Sequence, residues 1–493
     1  MKASTYLAVD LGAESGRVMA GTLNAQGLLQ LAEVHRFPNG GIRLGEHLHW
    51  DVLRLWHEIK TGLQQAGTQV GPNLRSIGLD TWGVDFGLLD AQDNLIGNPY
   101  HYRDARTDGM LEAVFDIVPR DEVYAQTGIQ FMQLNSLYQL FAMVQANDPA
   151  LSIARTFLTM PDLFNFFLTG VKFNEFSNAT TTQCFNPVTK NWALELLAAL
   201  GIPTQIFGQI VPPASVLGNL RPSIAAELGL AEISVVASAG HDTASAVAAV
   251  PASTDDYIYL SSGTWSLIGV ELAEPLINVE SLAANMTNEG GVGGKIRFLK
   301  NIVGLWMVQE CRRQWASQGT KYSYVDLTQM AAAAPAFGPL VDPGNNRFLA
   351  PEDMVVAIQT YCQETGQIVP TEKGAILRCS LESLALEYRW VAEQIDHLTG
   401  KKHPVIHIIG GGAQNKLLNQ FAANATGRTV IAGPVEATAI GNILVQAIAM
   451  GEIDSLAEGR EIVCNSFEVE TYEPQEVSTW GEAYQRYTRL KEM

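Results

Sequence analysis

The clearest hydrophobic pattern in the chain is a pair of apolar strands joined by a small polar turn, and it occurs twice. Residues 6–11 form an apolar run, a glycine-bounded turn follows at 12–16, and residues 17–20 resume an extended pattern. The same order recurs at 257–269, where the turn is residues 261–264. Apolar runs bounded by glycine and small polar residues are typical of β-hairpins. The recurrence predicts two structurally related halves.

Other strand-like runs each end in a polar or glycine-rich segment. They are residues 76–80, 233–237 and 405–409. Apolar residues at helical spacing predict helices in four regions: 131–170 (with breaks near Pro149 and Pro161), 244–250, 375–398 and 438–450. Strands that alternate with helices predict an α/β fold whose sheets are covered on both faces.

The length of the chain, 493 residues, exceeds what one ordinary hydrophobic core supports. Two large domains are therefore expected. Pro251 closes the small-residue helix, and the second hairpin begins a few residues later. We place the domain boundary there, which gives domains 1–250 and 251–493.

Composition and charge narrow the possible partners. The formal net charge is −19 and no basic run reverses it locally, which argues against nucleic acid as the main partner. No stretch of about 18 apolar residues predicts a membrane span, and the start at Met1-Lys2 shows no leader pattern. The five cysteines include no CxxC pair, so a zinc site is not expected. An odd, sparse set of cysteines fits a reducing cytoplasm with buried thiols. A cytoplasmic location, as a monomer or small homo-oligomer, is therefore the expectation.

Two turns have the chemistry of phosphate sites. Asp10 stands at a strand end beside the turn at 12–16, where a carboxylate can hold hydrated Mg²⁺ while turn amides face phosphate. The turn at 261–264 offers amides and hydroxyls of the same kind. Each turn also reads as an ordinary hairpin, with Asp10 as a capping residue.

Two further segments follow buried strands. The triple glycine at 410–412 lets a ring or a phosphate approach bare backbone, but the chain contains no GxGxxG dinucleotide fingerprint after a strand there and no P-loop. In Gly240-His241-Asp242-Thr243, the rigidly held Asp242 is a candidate proton acceptor for an attacking hydroxyl. The alternative is that Asp242 is the N-cap of the following helix.

A pair of carboxylates, Asp80 and Asp85, flanks Trp82-Gly83. Paired carboxylates are the machinery of glycosidases. Both lie on one short segment, however, which favours a structural or substrate-contacting role. His241, a lone histidine at a strand end, also has a structural interpretation.

The order of these motifs along the chain resembles the FGGY-type carbohydrate kinases of the actin-like ATPase superfamily, and within them the branch that acts on L-rhamnulose. The DTWGVDF and HDTASAV segments are typical of that branch. The similar segments are 9–18, 80–86 (DTWGVDF), 102–104, 160–162, 178–183 (NATTTQ), 241–247 (HDTASAV), 259–267 (YLSSGTWSL), 287–291 (TNEGG), 299–301, 304–306, 410–415 and 430–437 (VIAGPVEA).

The resemblance implies a fold, a reaction and a set of site residues. The fold would be two actin-like, ribonuclease H-like domains with a ligand cleft between them. The reaction would transfer the γ-phosphoryl group of ATP to O1 of L-rhamnulose, with Asp242 as the proton acceptor and Asp10 positioning Mg²⁺. The ketose contacts would be Gly83, His241, Asp242, Thr243 and Asn301. The ATP contacts would be Ala13, Glu14, Ser15, Gly16, Arg17, Thr264, Gln309 and Gly411.

Two positions depart from the pattern of that family. Glu14 stands where the related turn more often carries Ser, which adds negative charge near the phosphates, so weaker ATP binding is expected. Ala413 stands where Cys can occur. Three other functions are weighed against this reading: a kinase for another ketose such as L-fuculose or L-xylulose, an actin-like ATPase with no sugar substrate, and a glycosidase built on Asp80 and Asp85.

Overall fold

The structure is a computed structural model that describes residues 3–70 and 73–493. The prediction that the chain has no leader used Met1 and Lys2, and these two residues lie outside the described residues. The chain forms two compact units. The first contains the residues up to Ser253 together with Glu271–Phe298 and Ala437–Ser466, and the second contains Thr254–Val270, Leu299–Glu436 and Phe467–Met493. A single division near residue 251 stays a prediction.

The first unit mixes strands and helices along its length. Its strands are Ser4–Leu11, Ser15–Leu23, Leu29–Pro38, Gly41–Leu44, His47–Trp50, Leu74–Thr81, Phe86–Leu89, Thr156–Thr159, Asn174–Glu175, Phe185–Asn186, Asn191–Trp192, Ile210–Val211, Ser215–Asn219, Ser234–Ala237 and Thr287–Gly290. Its α-helices are Val52–Val70, Met110–Phe115, Arg120–Thr127, Ser136–Gln145, Pro149–Ile153, Met160–Thr169, Phe176–Thr181, Leu194–Ala199, Pro222–Leu228, Asp242–Ala248, Val279–Ala283, Ala437–Ala449 and Leu456–Ser466.

The second unit has fewer strands and longer helices. Its strands are Tyr257–Ser262, Val405–Ile409, Thr429–Ala432 and Glu470–Tyr472, with Trp265–Leu272 and Ile296–Val303, along which the chain passes from one unit to the other. Its α-helices are Trp306–Ser317, Tyr324–Ala333, Met354–Glu364, Lys373–Thr399, Lys416–Thr426 and Val477–Lys491.

The main sheet of the first unit has six strands and places the predicted acidic residues side by side. Its strand order is Ser215–Asn219, Ser234–Ala237, Leu74–Thr81, Ser4–Leu11, Ser15–Leu23, Leu29–Pro38. Asp10 pairs in parallel register with Asp80 and in antiparallel register with Arg17. Because paired residues on neighbouring strands point to the same face, these three side chains share one face of the sheet.

The helices that cover this sheet follow from the spacing of apolar residues. In Val52–Val70 the buried Leu55, Ile59 and Leu63 recur every fourth residue, so one stripe of the helix faces the core. Two small-residue helices, Asp242–Ala248 and Ala437–Ala449, pack against each other. Small side chains allow the two backbones to approach closely.

The second unit repeats the hairpin arrangement of the first. The sheet that contains its strands has seven strands in the order Thr287–Gly290, Ile296–Val303, Trp265–Leu272, Tyr257–Ser262, Val405–Ile409, Thr429–Ala432, Glu470–Tyr472. In both units an antiparallel hairpin has its first strand paired in parallel with a later strand. The predicted α/β class with two related halves is therefore confirmed. Within the described residues no helix is long and apolar enough to cross a membrane.

Candidate active site

Asp10 lies near the end of the central strand Ser4–Leu11 and is 4% exposed. Arg17, its antiparallel partner, donates a hydrogen bond from Nη2 to Asp10 Oδ2 at 2.5 Å. A charge-assisted bond of this kind is stronger than one between neutral groups. The predicted metal residue and one predicted ATP residue are therefore held together as an ion pair.

Asp80 lies beside Asp10 and is fully buried. Asn442 donates from Nδ2 to Asp80 Oδ2 at 2.5 Å, while Asp80 Oδ1 has no hydrogen-bond partner among the described residues. Burial raises the pKa of Asp80 well above its usual range, and the nearby Asp10 adds to the rise. Gln446 orients the Asn442 amide by donating to its Oδ1 at 2.7 Å.

Asp242 is the first residue of the helix Asp242–Ala248, and His241 occupies the N-cap position without a side-chain cap bond. The alternative role of Asp242 as the N-cap is therefore not the observed one. Asp242 Oδ1 accepts hydrogen bonds from the Thr243 backbone N–H at 2.5 Å and the Thr243 hydroxyl at 3.2 Å. The Asp242 side chain is 29% exposed. Burial raises its pKa, and the nearby Asp10 adds to the rise.

The segment before Asp242 is anchored by a buried carboxylate. Glu175 Oε2 accepts from the Gly240 N–H at 2.9 Å, and the Ser177 hydroxyl accepts from the His241 N–H at 3.1 Å. A Cβ built on Gly240 would lie 2.9 Å from Glu175 Oε2, so this close approach requires glycine. Sequence reasoning missed Glu175, although the NATTTQ segment just after it was recognised.

His241 has a second set of partners on the strands that follow the helix. Arg297 Nη2 lies 3.0 Å from His241 Nδ1 and 3.2 Å from Glu289 Oε2. Arg297 is fully buried and Glu289 is 4% exposed. Glu289 lies within the TNEGG segment that carries the family resemblance, whereas no sequence signal indicates Arg297, because a single arginine in an apolar strand has no motif.

Gly83 belongs to a loop that reaches the same edge of the sheet. The Thr81 N–H donates to the Gly240 carbonyl at 2.9 Å, and the Trp82 N–H donates to the Leu11 carbonyl at 3.2 Å. Backbone hydrogen bonds thus connect the Gly83 loop to the segments of both Asp10 and Asp242. Val84 has a φ of 65°, a conformation that is strained for a β-branched residue and is common at binding sites.

Asp85 holds this loop from behind. Its Oδ2 accepts from the indole N–H groups of Trp50 at 2.6 Å and Trp82 at 2.9 Å, and its Oδ1 accepts from Gln139 at 2.9 Å. Burial raises the pKa of Asp85 to about 6, and these hydrogen bonds limit the rise. A carboxylate whose two oxygens are both engaged is poorly suited to glycoside cleavage, and a structural role for Asp85 fits better.

The turn that includes Ala13, Glu14, Ser15 and Gly16 is braced by Asn39. The Gly12 N–H donates to the Ser15 carbonyl at 2.9 Å, and Asn39 donates to the carbonyl groups of Gly12 at 2.7 Å and Glu14 at 2.9 Å. Glu14 is exposed. The carbonyl groups of Gly12, Glu14 and Ser15 are therefore all engaged in hydrogen bonds.

In the second unit the structure brings two predicted segments together. Ser261 pairs with Ile409 in parallel strands, so the turn at 262–264 lies next to the triple glycine. A Cβ built on Gly412 would lie 2.0 Å from Ser262 Oγ, whereas one on Gly411 would meet nothing within 4 Å. Thr264, in the same turn, accepts backbone hydrogen bonds through its carbonyl at 3.1–3.2 Å.

The two remaining predicted residues of the second unit are Asn301 and Gln309, which lie eight positions apart in the sequence. Gln309 is in the first turn of Trp306–Ser317, and its buried Oε1 has no hydrogen-bond partner among the described residues. Asn301 is half-buried on the strand Ile296–Val303. The Gln309 amide oxygen can accept a hydrogen bond from a donor outside the chain.

Comparison with known proteins bears on the whole chain. Residues 5–249 match the N-terminal domain of the FGGY family of carbohydrate kinases, and residues 258–450 match its C-terminal domain. Similar curated proteins include the rhamnulokinases of Bacteroides thetaiotaomicron (46% identical, covering 97% of this chain and 98% of that protein) and Bacillus subtilis (39% identical, covering 96% of each).

Solved structures share the fold at much lower identity. A ligand-bound xylulose kinase from Lactobacillus acidophilus gives a TM-score of 0.81 at 17% identity, covering 99% of this chain and 98% of that one. The glycerol kinase of Plasmodium falciparum with ADP gives a TM-score of 0.77 at 13% identity, covering 100% and 98%. With the family matches and the close relatives, these findings show that the chain belongs to the FGGY family of carbohydrate kinases.

Proposed function

We propose that this carbohydrate kinase phosphorylates L-rhamnulose at O1, with ATP as co-substrate, to give L-rhamnulose 1-phosphate in rhamnose catabolism. The proposal is supported by the names of relatives that are 39–46% identical along nearly the whole chain. The structural observation that carries it is the state of Asp242, a partly exposed carboxylate in a rigid helix start.

The geometry of Asp242 suits a proton acceptor. Both hydrogen bonds that it accepts end on Oδ1, and no donor to Oδ2 is found among the described residues. Oδ2 therefore suits the hydroxyl of a ketose. In the reaction the sugar oxygen forms a bond to the γ-phosphorus, the bond from that phosphorus to the bridging oxygen of ADP breaks, and the hydroxyl proton passes to Asp242. Because the transition state is loose, the main role of Asp242 is to orient the hydroxyl.

We assign the other predicted residues to binding. Gly83, His241, Thr243 and Asn301 are proposed to contact the ketose. The ATP contacts are proposed to be Ala13, Glu14, Ser15, Gly16, Arg17, Thr264, Gln309 and Gly411.

A magnesium site in this protein would draw on the acidic residues of the sheet edge. No group of three His, Cys, Asp or Glu side chains in the described part of the chain is arranged to hold a metal ion by itself. Mg²⁺ in kinases keeps several waters and needs only one or two carboxylates besides the substrate phosphates, so Asp10 fits as a contact for the hydrated ion. Bound there with ATP, Mg²⁺ would neutralise charge on the phosphates.

The first experiment measures ADP release with Mg-ATP across a panel of ketoses. The wild type is compared with Asp242→Asn and with Asp255→Asn, which changes an exposed acid in a turn. We expect strong turnover with L-rhamnulose that falls at least 10²-fold in Asp242→Asn, in the range of general base catalysis, and is unchanged in Asp255→Asn.

The alternatives predict different outcomes. Turnover with L-fuculose or L-xylulose in preference to L-rhamnulose would retain the kinase and refute the substrate. ADP release that ignores every sugar would indicate a plain ATPase. Full activity in Asp242→Asn would remove Asp242 as the base.

A further inference from the structure

The side chain of His241 is held on one ring nitrogen by an arginine. Arg297 Nη2 lies 3.0 Å from His241 Nδ1, and both side chains are buried. Arg297 is itself fixed, since its Nε donates to the Gly290 carbonyl at 2.8 Å and its Nη2 lies 3.2 Å from Glu289 Oε2. The guanidinium therefore has little freedom to turn away from the imidazole.

The chemistry of this contact determines where the imidazole carries its proton. A guanidinium only donates hydrogen bonds and stays protonated in proteins. Nδ1 of His241 must therefore be the acceptor, because an N–H at that position would face the Arg297 N–H across 3.0 Å. Glu289 Oε2, the acceptor that would favour an Nδ1–H, is farther from Nδ1, at 3.4 Å.

We propose that Arg297 fixes His241 as the neutral tautomer protonated at Nε2, so that Asp242 is the sole proton acceptor of the pair that faces the sugar hydroxyl. His241 Nε2 lies 3.4 Å from Asp242 Oδ1. With a hydrogen on Nε2, the imidazole donates on this side and does not compete with Asp242 for the hydroxyl proton. Arg297 is a positioning residue, and the proposal rests on the function proposed above.

The fixed tautomer also orients the attacking hydroxyl. A hydroxyl that accepts from His241 Nε2–H and donates to Asp242 has its remaining lone pair free for the phosphorus. In the other tautomer, the Nε2 lone pair would face the Asp242 carboxylate and attract the same proton. Second partners of this kind commonly set the tautomer of a functional histidine.

The tautomer can be measured directly in the full-length protein. The chain has nine histidines, so labelling only histidine with nitrogen-15 gives a simple long-range proton–nitrogen spectrum. The signal that disappears in His241→Gln belongs to His241. We expect the pattern of a neutral ring protonated at Nε2 at neutral pH. A ring protonated at Nδ1, or at both nitrogens, would overturn the proposal whether or not L-rhamnulose is the substrate.

Matched variants separate Arg297 from Glu289. Removing Arg297 alone would take the cation away from the buried Glu289 carboxylate, which is costly, so the variant is the double change Arg297→Met with Glu289→Gln. We expect both His241 tautomers to appear and kcat to fall 10- to 100-fold. The control, Glu289→Gln alone, keeps the arginine donor and should keep the tautomer. A switch of tautomer in that control would show that Glu289 sets the proton position, and the proposal would be wrong.

Folding and substrate identity are controlled separately. Circular dichroism establishes that each variant is folded. Arg297→Lys keeps a cationic donor, so its kcat is expected to lie between the kcat of the double variant and that of the wild type. If the protein turns over a different ketose, the kinetic comparison is made with that sugar and the spectrum of the wild type still decides the proposal.

Discussion

Replacing Gly441 with alanine tests whether close helix packing positions Asp242. Gly441 lies inside the helix Ala437–Ala449, which packs on Asp242–Ala248. A Cβ built at Gly441 would lie 1.7 Å from the carbonyl oxygen of Ser245 and 3.3 Å from the Ala248 side chain. The nearest obstacle is backbone, so no side-chain rotation relieves it.

Two opposing effects set the magnitude. Alanine favours a helix interior over glycine by about 1 kcal/mol. Ordinary contact begins at roughly 3.5 Å, so the Asp242 helix would have to move by an amount on the order of 2 Å. Overpacking of this kind typically costs about 1–3 kcal/mol, with larger losses where backbone must shift. Because backbone must shift here, the overpacking cost should reach about 3 kcal/mol or more, and we therefore expect Gly441→Ala to be destabilised by about 2 kcal/mol or more in spite of its better helix propensity.

The catalytic effect should exceed the effect on stability. A displacement of the catalytic group by about 1 Å can lower the rate by roughly 10²-fold. We expect kcat of Gly441→Ala to fall by about that factor while the protein stays folded, as measured by ADP release and urea unfolding.

The matched control for this substitution is Gly481→Ala. Gly481 lies in the helix Val477–Lys491, and a Cβ there would meet nothing within 4 Å. The control should gain up to about 1 kcal/mol and keep full activity. If Gly441→Ala were as stable and as active as the control, packing at Gly441 would not position Asp242.

Two further substitutions give separate tests. In Asp85→Asn an amide replaces a carboxylate that accepts from Trp50, Trp82 and Gln139, so the Gly83 loop should be held less firmly and KM for the ketose should rise. A KM equal to that of the wild type would count against Asp85 as a support of this loop. The raised native pKa of Asp85, about 6 against 3.8, means that the folded state binds the proton more tightly. The free energy of unfolding of the wild type should therefore fall as pH rises from about 4 to about 6, and Asp85 should account for up to about 3 kcal/mol of that fall. In Asp85→Asn, the free energy of unfolding measured with urea should depend less steeply on pH over the same range. Gly412→Ala, with its Cβ 2.0 Å from Ser262 Oγ, should lose about 1–3 kcal/mol of stability, whereas Gly411→Ala should keep its stability and raise KM for ATP. An unchanged KM for ATP in the second variant would remove Gly411 from the proposed ATP site.

Elements with strong local patterns were predicted well from the sequence. The strand at 405–409 is observed with the same bounds, and the helix predicted at 375–398 is observed as Lys373–Thr399. In the helix, apolar residues recur at helical spacing over many turns. In the strand, a short apolar run ends at glycines, which break the element in any context.

Other features depend on partners distant in sequence and were not predictable. The strand Thr156–Thr159 falls within a region predicted to be helical, because four apolar and β-branched residues do not distinguish a strand from a helix. Asn442 donates to Asp80, which is 362 positions away in the chain. No local pattern indicates such a bond, nor the placement of Arg297 on His241.

Three acidic residues meet at one sheet edge, and their different partners explain why Asp242 is the one proposed as proton acceptor. Asp10 is paired with the cation of Arg17, and Asp80 is buried against the amide of Asn442. Asp80 cannot turn toward a substrate without leaving the buried Asn442 amide short of an acceptor, which is costly. Asp242 has neither a cation nor a buried amide on its second oxygen and is the most exposed of the three. The proposed proton acceptor is therefore distinguished from its neighbours by the partner that it lacks, a property of the assembled sheet edge that the residue type alone does not carry.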